Sequence, residues 1–316
     1  MLLLAAFSVV RPGAAQTSVS PNFEGVWNSA TATPLERPPR LKGKEFFTPE
    51  EAAQWERQAA AGNQDPPPDA KSRGFASYNA LFYERGTKLP KTLRTSIITD
   101  PADGRIPALT PAAAEAKSRR MERLNHPRGA PDLGLQDNCI VFPTAVAPMI
   151  PYIYNSNYRI IQTGKEVMIN VEMVHDTRVI RLDRQAHLPP EIRLWLGDSI
   201  GRWEGGTLVV DTTNFNDGGG FFGDAGGMFG TDRNLHVVER FSMPDANTLL
   251  YRFEVDDPSA FTRPWKGELT MARSSAPIFE YACHEGNVGM SFALSGARAR
   301  EKRQPEVNAG REQSAP

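Results

Sequence analysis

From residue 156 onward the chain is patterned with a period of two. Apolar and polar side chains alternate, or β-branched residues run together, over Tyr158 to Thr163, Glu166 to Met173, Arg178 to Leu182, Thr207 to Thr213, Leu235 to Phe241, Thr248 to Val255, Gly267 to Ala272 and Ile278 to Cys283. Successive side chains of an extended strand point to opposite faces, so this spacing predicts eight short strands. Turn-forming clusters separate them, among them Thr163-Gly164-Lys165, Glu204-Gly205-Gly206, Pro244-Asp245-Ala246-Asn247 and Asp257-Pro258. Short strands with hairpin-length connections predict a mainly β fold, an antiparallel meander closed into a barrel. Such a barrel has room for one small ligand or for a packed interior.

Before residue 136 the pattern is different. Pro34, Pro38-Pro39, Pro66-Pro67-Pro68 and Pro90 cut the segment into pieces too short for a core of their own. Two helices are predicted within it. Thr48 to Ala61 is opened by the capping pattern Thr48-Pro49-Glu50-Glu51, and Thr110 to Leu124 by Thr110-Pro111. Residues 16–135 therefore read as a proline-rich, partly helical arm wrapped around a barrel domain of residues 136–302, with 303–316 a disordered tail. Phe23-Glu24-Gly25-Val26-Trp27 within the arm reads as a first strand with a buried tryptophan.

Two connections are long enough to carry a site. Arg181 to Gly206 bears His187, Asp198, Ser199 and Arg202, with Trp195 and Trp203 placed to pin it to the barrel. Asn214 to Asn234 is rich in glycine and phenylalanine, and its Gly218-Gly219-Gly220-Phe221-Phe222 reads as a mobile apolar lid or a surface insertion.

Charge narrows the partners. The 316 residues carry 36 Lys and Arg against 37 Asp and Glu, a net charge of -1, and no basic run stands out. Nucleic acid and anionic membranes are therefore not expected partners. Met1 to Val10 is an apolar run of signal-peptide length followed by Gly13-Ala14-Ala15-Gln16, and it is too short to span a bilayer. Residues 1–15 are thus expected to be a signal peptide and the protein periplasmic or secreted. In that setting the two cysteines, Cys139 and Cys283, favour a disulfide over free thiols.

Four of the five histidines lie between Glu172 and Glu285, each near a carboxylate or an arginine. Histidine transfers protons near neutral pH, and a neighbouring carboxylate can orient it. His175, Asp176, Arg178, His236 and His284 are the candidate catalytic residues. Glu172, Asp211, Trp195, Tyr281, Phe221 and Phe222 are candidates for substrate binding. On the strand around Leu235 to Phe241, His236 and Glu239 fall on opposite faces. A lumen lined by Asn170, Glu172, Asp211, His236 and His284 is one arrangement the alternation permits; the other turns these residues to water. Ser199 lies in Gly197-Asp198-Ser199-Ile200-Gly201, but the strand-then-helix context of a nucleophilic serine is absent.

Several long motifs carry a resemblance. Arg94 to Pro107 (RTSIITDPADGRIP), His187 to Arg193 (HLPPEIR), Gly197 to Phe215 (GDSIGRWEGGTLVVDTTNF), Leu235 to Phe241 (LHVVERF) and Tyr281 to Asn287 (YACHEGN) resemble a large family of exported bacterial proteins. The resemblance spans about residues 23–302 and implies export and a lipocalin-like β-barrel core. It implies no reaction. The chain departs from the pattern in the glycine insertion at Gly218 to Gly230 and in Asn138 to Pro143.

Three functions are consistent with these residues. One is a cofactor-independent acid–base enzyme of the lyase, hydratase or isomerase type acting on a small apolar or phenolic molecule. A second is a carrier holding an apolar ligand in its barrel. The third is a metal-dependent hydrolase or lyase with His175, His236 and His284 on zinc, although no closely spaced histidine pair supports it.

Overall fold

A computed structural model of the chain describes residues 21–62, 86–152, 155–216, 218, 221–223, 227–229 and 233–313; residues 1–15, expected to be a signal peptide, lie outside the described residues. The strands are β1 (Gly25–Asn28), β2 (Ile98–Asp100), β3 (Asn157–Gln162), β4 (Glu166–Val171), β5 (Thr177–Arg181), β6 (Asp198–Glu204), β7 (Thr207–Thr213), β8 (Phe221–Gly223), β9 (Gly227–Phe229), β10 (His236–Asp245), β11 (Thr248–Asp256) and β12 (Trp265–Ser274). The helices are α1 (Pro49–Gly62), α2 (Pro111–Asn125) and α3 (Gly289–Gln313).

Nine strands close into a barrel in the order β1-β3-β4-β5-β6-β7-β10-β11-β12, because β1 pairs with β3 on one side and with β12 on the other. The arm thus supplies the staple that shuts the ring, and β2 adds to the first residues of β12. Trp27 of β1 is fully buried, and its indole N–H donates to the Phe23 carbonyl. This is a mainly β, lipocalin-like barrel, with one departure from the meander. β5 and β6 run parallel, paired only at Ile180↔Ser199 and Arg181↔Ile200. Parallel neighbours cannot share a hairpin, so residues 182–197 must cross from one end of the barrel to the other.

β6 lay inside an expected loop. Its inward positions are Ser199, Gly201 and Trp203, two of them small, so the hydrophobic alternation that marks the other strands is missing there. Gly201 is required by the close approach of β5, since a Cβ there would stand 2.6 Å from Ile180 Cγ2. Conversely, Ile278 to Cys283 alternates but forms no strand. With β1 closing the ring, the barrel offers it no free edge, and the segment instead lies on the rim, where the Phe279 N–H donates to Glu172 Oε1 at 3.1 Å.

The barrel interior is filled. Tyr158, Ile169, Ile180, Leu208, Val237, Phe241, Leu249 and Tyr251 line it, all at most 1 % exposed. Val141, Phe142, Ala145, Val146, Ala147 and Met149 are buried in the same cluster, and the Met149 N–H donates to the Tyr251 hydroxyl at 3.0 Å. The chain's own segment therefore packs against the inner wall where a lipocalin would hold its ligand. A Cys139–Cys283 disulfide ties the start of this segment to the rim.

The expected helix signals act as read. Thr48 Oγ1 accepts from Glu51 N–H while Glu51 Oε2 accepts from Thr48 N–H, a reciprocal capping box, and Thr110 caps α2 through Ala113 N–H. α3 extends to Gln313, through most of the stretch expected as a tail. Among the described residues no helix is long and apolar enough to cross a membrane.

Candidate functional site

The strand directions gather the polar residues at one rim. The starts of β5, β6 and β10 and the ends of β4 and β7 meet there, which brings Glu172, His175, Asp176, Asp198, Asp211 and His236 to the same end of the barrel. They do not share one surface. Side-chain alternation turns Val237, Glu239, Ser199 and Thr212 inward and His236, Asp198 and Asp211 outward, so the arrangement with Asp211 and His236 in the lumen is not the one formed.

What the lumen holds instead is an ion pair. Arg178, 1 % exposed, donates from Nη1 to Glu239 Oε1 at 2.9 Å and from Nη2 to Glu239 Oε2, with further bonds to Ser199 Oγ at 3.2 Å and Thr212 Oγ1 at 3.1 Å. The Tyr251 hydroxyl donates to Glu239 Oε1 at 2.8 Å. Burial opposes the guanidinium's charge, but the adjacent Glu239 carboxylate outweighs it and holds the arginine pKa up. Arg178, expected to stabilise charge on a substrate, spends its donors on this network. Ser199 is committed to it too.

A cleft of about 540 Å³ opens on the wall where β5 and β6 separate below their two paired residues. Its apolar lining includes Leu196 and the more open Ile140, Val179, Leu194 and Trp195, each of these four 38 to 41 % exposed. Its polar lining includes Asp176, Arg181, Arg184 and Asp198. Asp176 is the group whose chemistry is most altered. Its Oδ2 is buried with no hydrogen-bond partner, and burial, partly offset by His175, pushes its pKa up to about 6. The preceding backbone is tightly turned: Val174 and His175 take φ of 61° and 44°, in the left-handed region that non-glycine residues rarely adopt.

His175 stands beside Asp176 and meets the Tyr281 carbonyl through Nδ1 at 2.8 Å. A carbonyl only accepts, so Nδ1 carries the proton, and in the neutral ring Nε2 is the basic nitrogen. Glu172 is 2 % exposed and takes up both oxygens, from Asn157 Nδ2 at 2.7 Å and from Phe279 N–H. It anchors the rim segment that carries Tyr281.

A second polar group lies on the outer wall. His187, on the crossover of residues 182–197, contacts Asp198 Oδ2 through Nδ1 at 3.1 Å and Asp211 Oδ1 through Nε2 at 2.9 Å. His236 Nε2 meets the same Asp211 oxygen at 3.1 Å. Its hydrogen bond to Asp211 raises the His236 pKa against the effect of burial, and that bond in turn lowers Asp211. For Asp198, burial raises the pKa, but the Leu188 N–H, His187 and Arg184 together bring it below the usual carboxylate range.

His187 and Asp198 were noted only as loop residues. The motif HLPPEIR…GDSIG carries both, but nothing in its spacing tells that the loop folds back on the wall. His284 is exposed in a turn on the rim. His175, His236 and His284 thus occupy three different settings, and among the described residues no group of three or more His, Cys, Asp or Glu side chains is arranged to hold a metal ion. Phe221 and Phe222 belong to the two-stranded ribbon β8–β9, and their side chains lie outside the described residues. Gly218, at the start of the glycine-rich loop, lies directly against Trp195: a Cβ there would be 2.7 Å from the indole ring.

No protein-family model matches the chain. No curated protein matches it. Among solved structures, a secretary abundant heat soluble (SAHS) protein from Ramazzottius varieornatus is similar over 37 % of this chain and 70 % of its own, at 11 % identity and a TM-score of 0.24.

Proposed function

We propose that the protein is an exported acid–base enzyme that binds a small apolar or phenolic molecule in the cleft between β5 and β6, with Asp176 as the proton-transferring group. The observation that carries this reading is the Asp176 carboxyl, one oxygen of which is buried and unpartnered at the edge of a cleft lined by exposed apolar side chains. A carboxyl with a pKa of about 6 is mostly ionised at neutral pH yet poorly solvated, which is what a general base requires. Trp195 offers a flat apolar face for a ring. His175, with Nε2 as its basic nitrogen, is the group beside Asp176 for a second proton transfer. Export is supported by the disulfide and by the apolar run at Met1 to Val10.

The carrier alternative changes its location. Because the segment from Val141 to Met149 fills the lumen, a ligand would be held in the same wall cleft, and the two readings differ only in whether chemistry follows binding.

The test uses nitrobenzisoxazole, a planar probe for unsolvated carboxylate bases. Its ring C–H proton passes to the carboxylate, the N–O bond breaks, and a coloured cyanophenolate is released. The expected result is saturable turnover that rises through about pH 6 and disappears in Asp176→Asn. Binding without turnover in the parent protein favours the carrier. Turnover unchanged in Asp176→Asn removes Asp176 from the mechanism.

A further inference from the structure

The crossover of residues 182–197 forms one wall of the cleft through Leu194, Trp195 and Leu196, yet it has little regular structure of its own. Residues 188–194 are held by Asn214, whose Nδ2 lies 3.0 Å from each of the carbonyls of Leu188, Pro189 and Ile192 and whose carbonyl accepts from the Leu194 N–H. Residues 184–188 are also held by charge. His187 bridges Asp198 of β6 and Asp211 of β7, Arg184 donates to Asp198 Oδ1 at 3.0 Å, and the Leu188 N–H donates to Asp198 Oδ2 at 2.9 Å.

Both ring nitrogens of His187 face carboxylate oxygens. Ionised carboxylates only accept, so both bonds exist together only when the ring carries two protons. In that form Arg184 and the His187 imidazolium face Asp198, and the His187 imidazolium and His236 face Asp211. Remove the His187 proton and one of its two bonds becomes a lone pair facing a carboxylate oxygen.

We infer that His187 is a positioning residue that clasps the first half of the crossover to the barrel wall only as an imidazolium, making the shape of the adjoining cleft depend on pH. The sign follows from the bonds: the clasp is closed in acid and loosens as pH rises. The charged and titratable groups around it are Arg184 on the crossover, Asp198 on β6, Asp211 on β7 and His236 on β10, with Asp256 and Glu254 of β11 acting on His236. His236 keeps its own proton to higher pH than an ordinary imidazole because of its bond to Asp211.

Amide exchange at Leu188 reports the clasp whether or not Asp176 turns over a substrate, so the two readings fail separately. In the full chain, the protection factor of the Leu188 amide, corrected for intrinsic exchange, should fall roughly tenfold between about pH 5.5 and about pH 8.5. Nitrogen NMR should find both His187 ring nitrogens protonated wherever the Leu188 amide is protected, and one of them bare where protection is lost. His187→Gln should show low protection at both pH values. His187→Lys, which keeps a cation, should show protection that does not follow pH. Constant Leu188 protection in the parent protein, or a His187 ring that stays singly protonated throughout, overturns the inference. Because the NMR titration needs no variant, a failure of either substitution to fold leaves the test intact.

Discussion

The Arg178–Glu239 pair makes a strong demand on stability, because both ions sit inside the barrel at 1 % and 0 % side-chain exposure. Glu239→Gln keeps the size and one acceptor of the side chain but removes the charge that balances the guanidinium. Breaking a buried pair by removing one partner costs about 3 to 5 kcal/mol, because the other charge is left uncompensated. With about 2 to 4 °C per kcal/mol for a domain of this order, Glu239→Gln should lower the melting temperature by roughly 10 °C. The double variant Arg178→Met, Glu239→Leu removes both charges while Ser199 and Thr212 still satisfy each other at 2.9 Å. It leaves the Tyr251 hydroxyl without its acceptor, although the hydroxyl still accepts from Met149 N–H. The double variant should therefore recover at least half of the loss, a coupling that chemical denaturation of the parent, Arg178→Met, Glu239→Leu and the double variant measures directly. A Glu239→Gln protein within about 1 kcal/mol of the parent, or a double variant as unstable as the sum of the singles, would refute the reasoning.

Three further outcomes follow from single groups. A carboxyl whose folded pKa is raised from 3.8 to about 6 binds its proton more tightly in the native state, so it penalises folding increasingly as pH rises through that window. Asp176→Asn should accordingly be more stable than the parent at about pH 8, by on the order of 1 kcal/mol once partial exposure is allowed for, and no different at about pH 3.5, as thermal melts at the two pH values will show. The Cys139–Cys283 disulfide has a sequence separation of 144, so Cys139→Ala with Cys283→Ala should lose up to about 5 kcal/mol in urea denaturation if chain entropy dominates. Gly197→Ala meets both a φ of +71° and the Thr213 carbonyl oxygen at 2.7 Å from the added Cβ, and should cost more than about 1 kcal/mol by the same measurement.

The strands that could be read from the sequence are those whose inward residues are large. Val167, Ile169 and Val171, or Leu249, Tyr251, Phe253 and Val255, recur at every second position in runs rich in large apolar residues and announce themselves. β6 did not, because Ser199 and Gly201 face the interior, and both are small for reasons that lie elsewhere: Arg178 needs the hydroxyl and Ile180 needs the space. The opposite faces of His236 and Glu239 followed from periodicity alone. Which face was interior did not, since an inward glutamate is possible only where an arginine on another strand meets it. The wall cleft was equally illegible. It exists because β5 and β6 pair at two positions and then part, a property of register that no local pattern carries.

The filled lumen sets the direction of any functional account. A barrel that encloses a ligand needs an apolar cavity at its centre, and here the centre is taken by Ala145 to Met149 and by an ion pair bonded to three further side chains, Ser199, Thr212 and Tyr251. Such a centre makes the wall rigid. Arg178 lies two residues from Asp176 and Ser199 next to Asp198, so the same network that fills the barrel fixes the strand ends on which the cleft's carboxylates sit. The strand end that carries the unpartnered Asp176 oxygen is then held in place by Arg178 and Ser199, which also reach the cleft lining, while the opposite wall of the cleft hangs on His187 and Asn214. One side of the cleft is thus built to stay still and the other is attached partly through the His187 bridge. This asymmetry is a physical reason to look for binding at the wall rather than within the barrel.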